Sequence, residues 1–143
     1  MSRIVCDMNK CSGCLACVVA CIDQHYDETV ENPVSCRIHE KKQSAKGAVC
    51  FQTRSCLHCE DASCIHACPA GALIRDDNGF VVPLREKCTG CQACAKACPH
   101  DVPRFDEDGK LVKCDGCTTR ISCGLEPACV RTCQTGCLKL VRE

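Results

Sequence analysis

Sixteen of the 21 cysteines in this 143-residue chain fall into four groups of four with similar spacing. Two quartets read C-x2-C-x2-C-x3-C, and the other two lengthen one internal gap to four or eleven residues. Three thiolates in a tight loop can converge on three corners of an iron–sulfur cubane while loop N–H groups turn toward its sulfurs. The spacing therefore predicts four [4Fe–4S] clusters. In chain order the quartets are Cys11, Cys14, Cys17 and Cys21; Cys56, Cys59, Cys64 and Cys68; Cys88, Cys91, Cys94 and Cys98; and Cys114, Cys117, Cys129 and Cys133.

Zinc sites and disulfide bonds are the other common uses of clustered cysteines. A four-cysteine zinc site pairs two C-x2-C units across a longer spacer, and it has no need of the third close cysteine found here. A disulfide framework needs an oxidising compartment, whereas the N-terminal residues MSRIVCDMNKC show neither an apolar signal segment nor a twin arginine. The odd number of cysteines also fits disulfides poorly. We therefore expect a cytoplasmic protein with reduced thiols that bind iron.

Short helices are predicted to position the fourth cysteine of each quartet. The segments VVACIDQHY after Cys17, AKAC after Cys94 and VRTC after Cys129 each indicate a first helical turn. Such a helix carries its last cysteine away from the cysteine loop and toward a neighbouring cluster. Proline directly after the fourth cysteine, at Pro69 and Pro99, discourages the helix from continuing. Glycines inside three loops allow positive φ or close backbone approach; they are Gly13, Gly90 and Gly116.

An internal repeat separates the cysteine quartets. After Pro69 and after Pro99 the chain has a strand-like segment, an acidic turn ending in glycine (DDNG or DEDG), and a second strand-like segment. This pattern predicts two β-hairpins. The segments SRIVCDM and CLKLVRE are also strand-like and are predicted to pair. Residues 24–50 are polar and are expected to form a linker. The predicted fold class is α+β, built from ferredoxin-like units.

Composition and charge exclude several classes of function. The chain has no Trp, one Tyr and three Phe, so its fold is expected to depend on its clusters. Its 18 basic residues are balanced by 18 acidic residues, so the composition shows no basic excess of the kind that binds nucleic acid. No apolar run approaches the ~18 residues that a membrane span requires. No Gly-rich nucleotide loop or nucleophile–base arrangement is present, and every quartet is complete, so the chain is predicted to be non-catalytic.

Three stretches carry a resemblance to a known family. They are CLHCEDASCIHACPAGAL (56–73), CTGCQACAKACPHDVPRF (88–105) and KCDGCTTRISCGLEPACVRTC (113–133). The chain resembles the four-cluster iron–sulfur subunits of molybdenum and tungsten oxidoreductases, hydrogenases and carbon monoxide dehydrogenases. The dimethyl sulfoxide reductase and formate dehydrogenase subunits are the well-known members. Gln134 stands where the family usually has proline, and the chain resembles a minimal soluble form without the C-terminal membrane anchor of larger relatives.

The resemblance implies two interleaved ferredoxin-like units that exchange their fourth cysteines. Residues 1–45 with 110–143 would form an outer unit, and residues 46–109 an inserted inner unit. The resemblance further implies that the clusters lie in the spatial order A, B, C, D. The implied ligands are Cys11, Cys14, Cys17 and Cys133 at site A; Cys114, Cys117, Cys129 and Cys21 at site B; Cys88, Cys91, Cys94 and Cys68 at site C; and Cys56, Cys59, Cys64 and Cys98 at site D.

Several residues outside the ligand sets have two interpretations. His58, inside the second loop, is expected to hydrogen-bond near a cluster and tune its potential, rather than to ligate iron. Lysines directly before three loops are either solvated side chains or cations that raise a cluster's potential; they are Lys10, Lys87 and Lys113. Cys6 and Cys137 are interpreted as small buried hydrophobes. Cys36, Cys50 and Cys123 lack the close spacing of a metal site, and His25, His39, His66 and His100 are interpreted as surface or packing residues.

The predicted function is that of an electron-transfer subunit. It would relay single electrons through four clusters to or from a catalytic subunit, such as a molybdenum or tungsten aldehyde or formate oxidoreductase, a hydrogenase or a carbon monoxide dehydrogenase. The expected assembly is a hetero-oligomer, with end-to-end self-association as an extension. A freely diffusing polyferredoxin and a cluster carrier or maturation factor are the alternatives.

Overall fold

The computed structural model describes residues 1–143 and contains short helices and four two-stranded antiparallel sheets. This architecture confirms the coarse α+β prediction. A single 3-10 turn, Arg85–Lys87, precedes the third quartet. In chain order the elements are β1 Ser2–Cys6, α1 Ala16–His25, β2 Ile38–Gln43, β3 Val49–Arg54, α2 Ser63–Ala67, β4 Leu73–Arg75, β5 Val81–Pro83, α3 Ala93–Ala97, β6 Arg104–Phe105, β7 Leu111–Val112, α4 Thr118–Ser122, α5 Ala128–Thr132 and β8 Leu138–Arg142.

The two predicted hairpins form β4–β5 and β6–β7, and they share one turn geometry. In the first, Asp76 Oδ1 accepts hydrogen bonds from the backbone N–H groups of Asn78 (3.0 Å) and Phe80 (2.8 Å). In the second, Asp106 Oδ1 accepts the equivalent bonds from Asp108 and Lys110, both at 3.0 Å. An aspartate side chain that binds its own turn in this way stabilises the reversal. The sequence repeat is therefore also a repeat of hydrogen bonds.

Strands β1 and β8 pair as predicted, with Ser2 opposite Arg142 and Cys6 opposite Leu138. The sheet brings the first and last parts of the chain together beside the first quartet. Helix α1 packs against α5, and α2 packs against α3. The helix of the first quartet thus lies against that of the fourth, and the helix of the second against that of the third.

A third hairpin, β2–β3, lies within and just after the segment that was expected to be a linker. That expectation is wrong for residues 38–50. The turn is closed by Ser44, whose N–H donates to the Ala48 carbonyl (2.8 Å) and whose Oγ accepts from the Ala48 N–H (3.1 Å). Strand β2 is mostly exposed and polar, so backbone pairing rather than an apolar face holds it, and the sequence lacks the strand alternation that would have indicated it. The predicted unit boundary at 45/46 falls inside this turn.

Helices α2, α3 and α5 all end one residue before a fourth cysteine, which takes an extended conformation. Proline follows that cysteine after α2 and α3, and both helices stop where the sequence predicts. Gln134 occupies the equivalent position after α5, and yet α5 ends at the same point. Proline is therefore not required for the helix to stop.

The interior consists of three small clusters of buried side chains. Cysteine supplies 10 of the 20 buried hydrophobic residues, while Phe80 is the only buried aromatic among them. Such an interior has little apolar surface to bury beyond its thiols, which supports the expectation that bound metal stabilises the fold. None of the helices combines the length and apolar character needed to cross a membrane.

Gly116 illustrates why glycine occurs inside the cysteine loops. Its φ is +70°, in the left-handed region that favours glycine. A Cβ at this position would overlap the ring of the fully buried Phe80. The loop between Cys114 and Cys117 therefore needs both the conformational freedom of glycine and its lack of a side chain.

Candidate metal centres

A cavity of about 90 Å³ lies beneath the first cysteine loop. Cys11, Cys14 and Cys17 of that loop line it together with Cys133, which follows α5. Cys21, the fourth cysteine of the first quartet, does not line this cavity. The cavity therefore brings together the four thiols of site A, with Cys133 more than a hundred residues away in sequence from the other three.

A second cavity, of about 50 Å³, has the corresponding arrangement in the middle of the chain. Cys56, Cys59 and Cys64 line it with Cys98, which follows α3. Cys68, the fourth cysteine of the second quartet, does not line it. These are the four thiols of site D.

No single cavity gathers the proposed cysteines of site B or of site C, and packing brings together only some of them. Cys129 of site B lies in the buried cluster that contains Cys17. Cys21 and Cys114 lie in the same buried cluster. Cys68 packs against the buried cluster that contains Cys88 and Cys94. Cys91, the remaining predicted ligand of site C, is exposed.

The packing of the cysteines favours an order of sites other than the A, B, C, D that the resemblance implies. Cys56 of site D lies in the buried cluster that contains Cys21 and Cys114 of site B, and Cys98 packs against it. Cys64 of site D packs against the cluster of site C. This packing places cysteines of site D beside those of both B and C, which favours the order A, B, D, C.

The donor sets fit [4Fe–4S] clusters chemically. The cavities of sites A and D are each lined by four proposed ligand thiols. Backbone N–H groups donate to several of the cysteine sulfurs at 3.3 Å. The donors are the N–H groups of His58 to Cys56, Ala72 to Cys68, Leu111 to Cys88 and Gly116 to Cys114. Hydrogen bonds of this kind are among the features that set the potential of a bound cluster.

Comparison with known proteins places the chain in a family. Its sequence matches the 4Fe-4S dicluster domain over residues 47–143. The chain belongs to this family. It is 39% identical over 150 residues to the iron–sulfur subunit of the nitrate-inducible formate dehydrogenase of Escherichia coli, a match that covers 92% of this chain and 51% of that subunit. The chain thus spans about half the length of its formate dehydrogenase relatives.

A second group of relatives is shorter. The chain is 37% identical over 139 residues to the B subunit of the anaerobic dimethyl sulfoxide reductase of Haemophilus influenzae, a match that covers 89% of this chain and 67% of the relative. The Escherichia coli protein of the same name is 36% identical over 138 residues, with 89% and 66% coverage. The family resemblance noted in the sequence is therefore confirmed.

Burial raises the pKa of two thiols at site B. The pKa of Cys114 is about 12 and that of Cys129 about 11, with desolvation as the largest cause in both. Without metal these thiols therefore keep their protons at neutral pH. Binding of iron must displace the protons, because metals bind the thiolate form of cysteine.

His58 is fully buried and has one unsatisfied atom. Its Nδ1 accepts a hydrogen bond from the Val81 N–H at 2.9 Å, and Phe80 packs edge-on against the ring. Burial, reinforced by the charge of Lys113, lowers the pKa of His58 to about 3, so the imidazole is neutral. The hydrogen then resides on Nε2, which is buried without a partner. A buried donor without an acceptor is rare in proteins, and cluster or thiolate sulfur would supply that acceptor.

The three lysines that precede cysteine loops have different environments. The Lys113 side chain is buried, and its Nζ donates to the carbonyls of Val81 and of Cys114 (2.7 Å). Lys10 and Lys87 are exposed to solvent. A buried cation acts on a neighbouring charge far more strongly than a solvated one. The tuning interpretation therefore has structural support at Lys113, while Lys10 and Lys87 lie where solvent screens them.

Arg37 is a residue that the sequence did not indicate. It is 4% exposed, and its guanidinium donates to Thr53 Oγ1, the Thr53 carbonyl and Ser55 Oγ at 3.0 to 3.2 Å. Its Nη1 also lies 3.7 Å from Cys129 Sγ. Burial would lower the pKa of Arg37, but nearby thiolates, that of Cys129 foremost, hold it above its usual value. No carboxylate forms an ion pair with this cation.

His25 also has a more specific environment than the sequence indicated. Its Nε2 lies 3.0 Å from Asp115 Oδ1, and its Nδ1 lies 2.8 Å from the Cys21 carbonyl. The hydrogen bond to Asp115 raises the pKa of His25 well above its ordinary value. Burial favours the neutral form of Asp115, but His25 holds the pKa of this carboxyl below its ordinary value. His39, His66 and His100 are exposed, as expected.

Proposed function

We propose that the chain is a non-catalytic electron-transfer subunit that relays single electrons through four cluster sites in the order A, B, D, C. A [4Fe–4S] cluster bound at each site would take up and release one electron at a time without forming a bond to a substrate. The ligand sets are those given for sites A to D. They are supported most directly by the two cavities, each lined by three cysteines of one quartet and the fourth cysteine of another.

The observation that carries the proposal is the exposure of the ligands. Among the sixteen quartet cysteines, only Cys14 and Cys91 are exposed. Cys14 belongs to site A and Cys91 to site C, which are the two ends of the order. All four cysteines of site B are buried. A relay needs its terminal sites near the surface, where electrons enter and leave, and its internal sites shielded from water.

The residues of the chain have three tasks in this relay. The thiolates hold the iron, the backbone N–H groups directed at sulfur compensate negative charge, and buried cations favour the reduced state. Lys113 and Arg37 are the buried cations. The neutral His58 adds a donor without adding a charge. We propose that the sites are filled in the cytoplasm, where thiols are kept reduced.

We further propose that a catalytic oxidoreductase subunit docks at one end. The relatives are named as iron–sulfur subunits of formate dehydrogenases and as B subunits of dimethyl sulfoxide reductases. At the site A end, the side chains of Leu15 and Val19 are exposed next to Cys14. Exposed apolar residues beside an accessible site suit a protein partner. The opposite end is free for an electron acceptor, a donor or a second copy of the protein.

Metal content tests the proposed sites. Protein purified without oxygen should contain about sixteen iron atoms and sixteen acid-labile sulfides per chain, as four cubanes require. Four iron atoms or fewer, or stoichiometric zinc, would refute the four-cluster proposal.

Size-exclusion chromatography of native extract tests whether the chain has a partner subunit. A subunit elutes with a larger protein, whereas a freely diffusing polyferredoxin elutes near its own 15.5 kDa.

The order of the sites can be tested separately. Magnetic coupling between reduced clusters is strongest for neighbours, so EPR spectra of the reduced protein should report B–D coupling. A Cys88→Ala variant, which perturbs site C, should leave the B–D coupling in place and remove the coupling of D to C. Coupling between B and C that survives loss of site D would contradict the order.

A further inference from the structure

Two cysteines outside the quartets lie against the fourth cysteines of the outer unit. Cys137 is 4% exposed, lines the same cavity as Cys133, and its Sγ lies 3.4 Å from the Cys133 Sγ. Cys36 is 6% exposed and lies in the same buried cluster as Cys21. Cys133 and Cys21 are the ligands that the two outer sites exchange.

The arrangement differs from that of a cysteine that only fills space. The thiols of Cys6, Cys11 and Cys137 lie within 4.8 Å of one another, so Cys137 lies close to two proposed ligands of site A, Cys11 and Cys133. A methyl or isopropyl group would fill the same volume without a sulfur facing the cavity.

The site C cysteines provide an internal contrast. The buried cluster around Cys68 contains Cys64, Cys88 and Cys94, all of which are proposed ligands. No cysteine from outside the quartets belongs to that cluster. A neighbouring cysteine from outside the quartets is therefore a feature of sites A and B and is missing around Cys68.

We propose that Cys137 and Cys36 are reserve ligands, able to bind the iron that Cys133 and Cys21 hold when either of those cysteines is lost. This inference rests on the proposed cluster sites. When the reserve thiol takes over, it loses its proton to solvent and its sulfur forms the iron–sulfur bond that the lost cysteine would have made. One thiolate replaces another, so the charge of the site is unchanged and no electron is transferred.

Alanine variants of site A test the proposal, because alanine cannot ligate iron. The variants to compare are Cys133→Ala, Cys137→Ala and the double variant that carries both changes. The measurements are iron and sulfide content and the EPR spectrum of the oxidised protein. Each single variant should keep about sixteen iron atoms and show no [3Fe–4S] signal. The double variant should lose iron from site A or show the [3Fe–4S] signal that marks a missing ligand. The same comparison applies to Cys21→Ala, Cys36→Ala and their double variant at site B.

Cys68→Ala is the matched control, since no reserve thiol lies beside Cys68. It should lose iron or show the [3Fe–4S] signal as a single variant. The proposal is overturned if Cys133→Ala behaves like Cys68→Ala or fails to accumulate as a folded protein. It is also overturned if the double variant keeps all its iron, because another group would then be the ligand. Wild-type protein without about sixteen iron atoms would instead refute the four-cluster function.

Discussion

Replacement of Arg37 by Gln should lower the reduction potential of a cluster bound at the proposed site B. Gln keeps hydrogen-bonding capacity toward Thr53 and Ser55 but removes a positive charge that lies 3.7 Å from Cys129 Sγ. A reduced cluster is more negative than an oxidised one, so a nearby cation stabilises the reduced state and raises the potential. Its removal has the opposite effect.

The magnitude follows from Coulomb's law. The added electron is shared over the whole cubane, so its mean distance from the guanidinium exceeds the distance to the nearest sulfur. At about 8 Å and an effective dielectric constant of about 20, the interaction is roughly 2 kcal/mol. For a one-electron couple this corresponds to a potential roughly 90 mV lower in the variant. A smaller decrease is expected at site A, because the thiol of Cys17 reaches Arg37 only through Thr53.

The assay is an EPR-monitored redox titration of anaerobic protein with its iron content measured first. Arg37→Lys keeps the charge and should retain most of the wild-type potential. Arg54→Gln is the matched control, because Arg54 is partly exposed and already paired with Glu40 at 2.7 Å. Its charge is compensated and screened, so the potentials should change little. An Arg37→Gln protein with full iron and unchanged potentials would refute the reasoning, as would an equal shift in Arg54→Gln.

Three further predictions concern stability and tuning. Removal of iron by a chelator under reducing conditions should leave a chain that is largely unfolded by circular dichroism, because half of the buried hydrophobic residues are cysteines; a cooperative thermal transition of the metal-free chain would contradict this. Gly116→Ala should destabilise the protein by about 3 kcal/mol or more, through strain at positive φ and overlap with Phe80, as measured by thermal loss of the visible cluster absorbance. Gly71→Ala, with positive φ but no atom within 4 Å, should cost only about 1 kcal/mol, and equal losses would argue against the packing contribution. His58→Leu should lower the potential of a neighbouring cluster by removing the buried Nε2 donor, whereas unchanged potentials in an iron-replete variant would show that this donor faces no cluster.

Local features of the fold could be predicted from the sequence. The hairpins after Pro69 and Pro99 form where the acidic turns indicated, because an aspartate side chain and a glycine act within five residues of each other. Pairing of β1 with β8 was also predicted, since both segments are strand-like. The hairpins depend on short-range chemistry that the sequence displays directly, and the β1–β8 pairing on two segments that each resemble a strand.

Features that depend on the path of the chain through space were missed. The resemblance implied the order A, B, C, D, whereas the packing of Cys56 and Cys64 favours A, B, D, C. Arg37 has no distinguishing neighbour in sequence, and its importance comes from burial against Cys129. Lys10 and Lys113 have the same position relative to a cysteine loop, yet only Lys113 follows a buried strand and is itself buried. Burial, which decides whether a charge can tune a neighbour, could not be inferred from spacing alone.

The pairing of β1 with β8 has a consequence for how the protein is made. Residue 2 finds its partner only after residue 142 has been synthesised, whereas β4–β5 and β6–β7 are complete once residue 112 has left the ribosome. In the proposed ligand sets, the thiols of sites C and D can therefore gather on the growing chain, whereas site A lacks Cys133 until synthesis is nearly complete. During that interval Cys11, Cys14 and Cys17 remain open to oxidation or to the wrong metal. Protection of the nascent N-terminal loop, by speed of synthesis or by a chaperone, would then govern the yield of fully loaded protein.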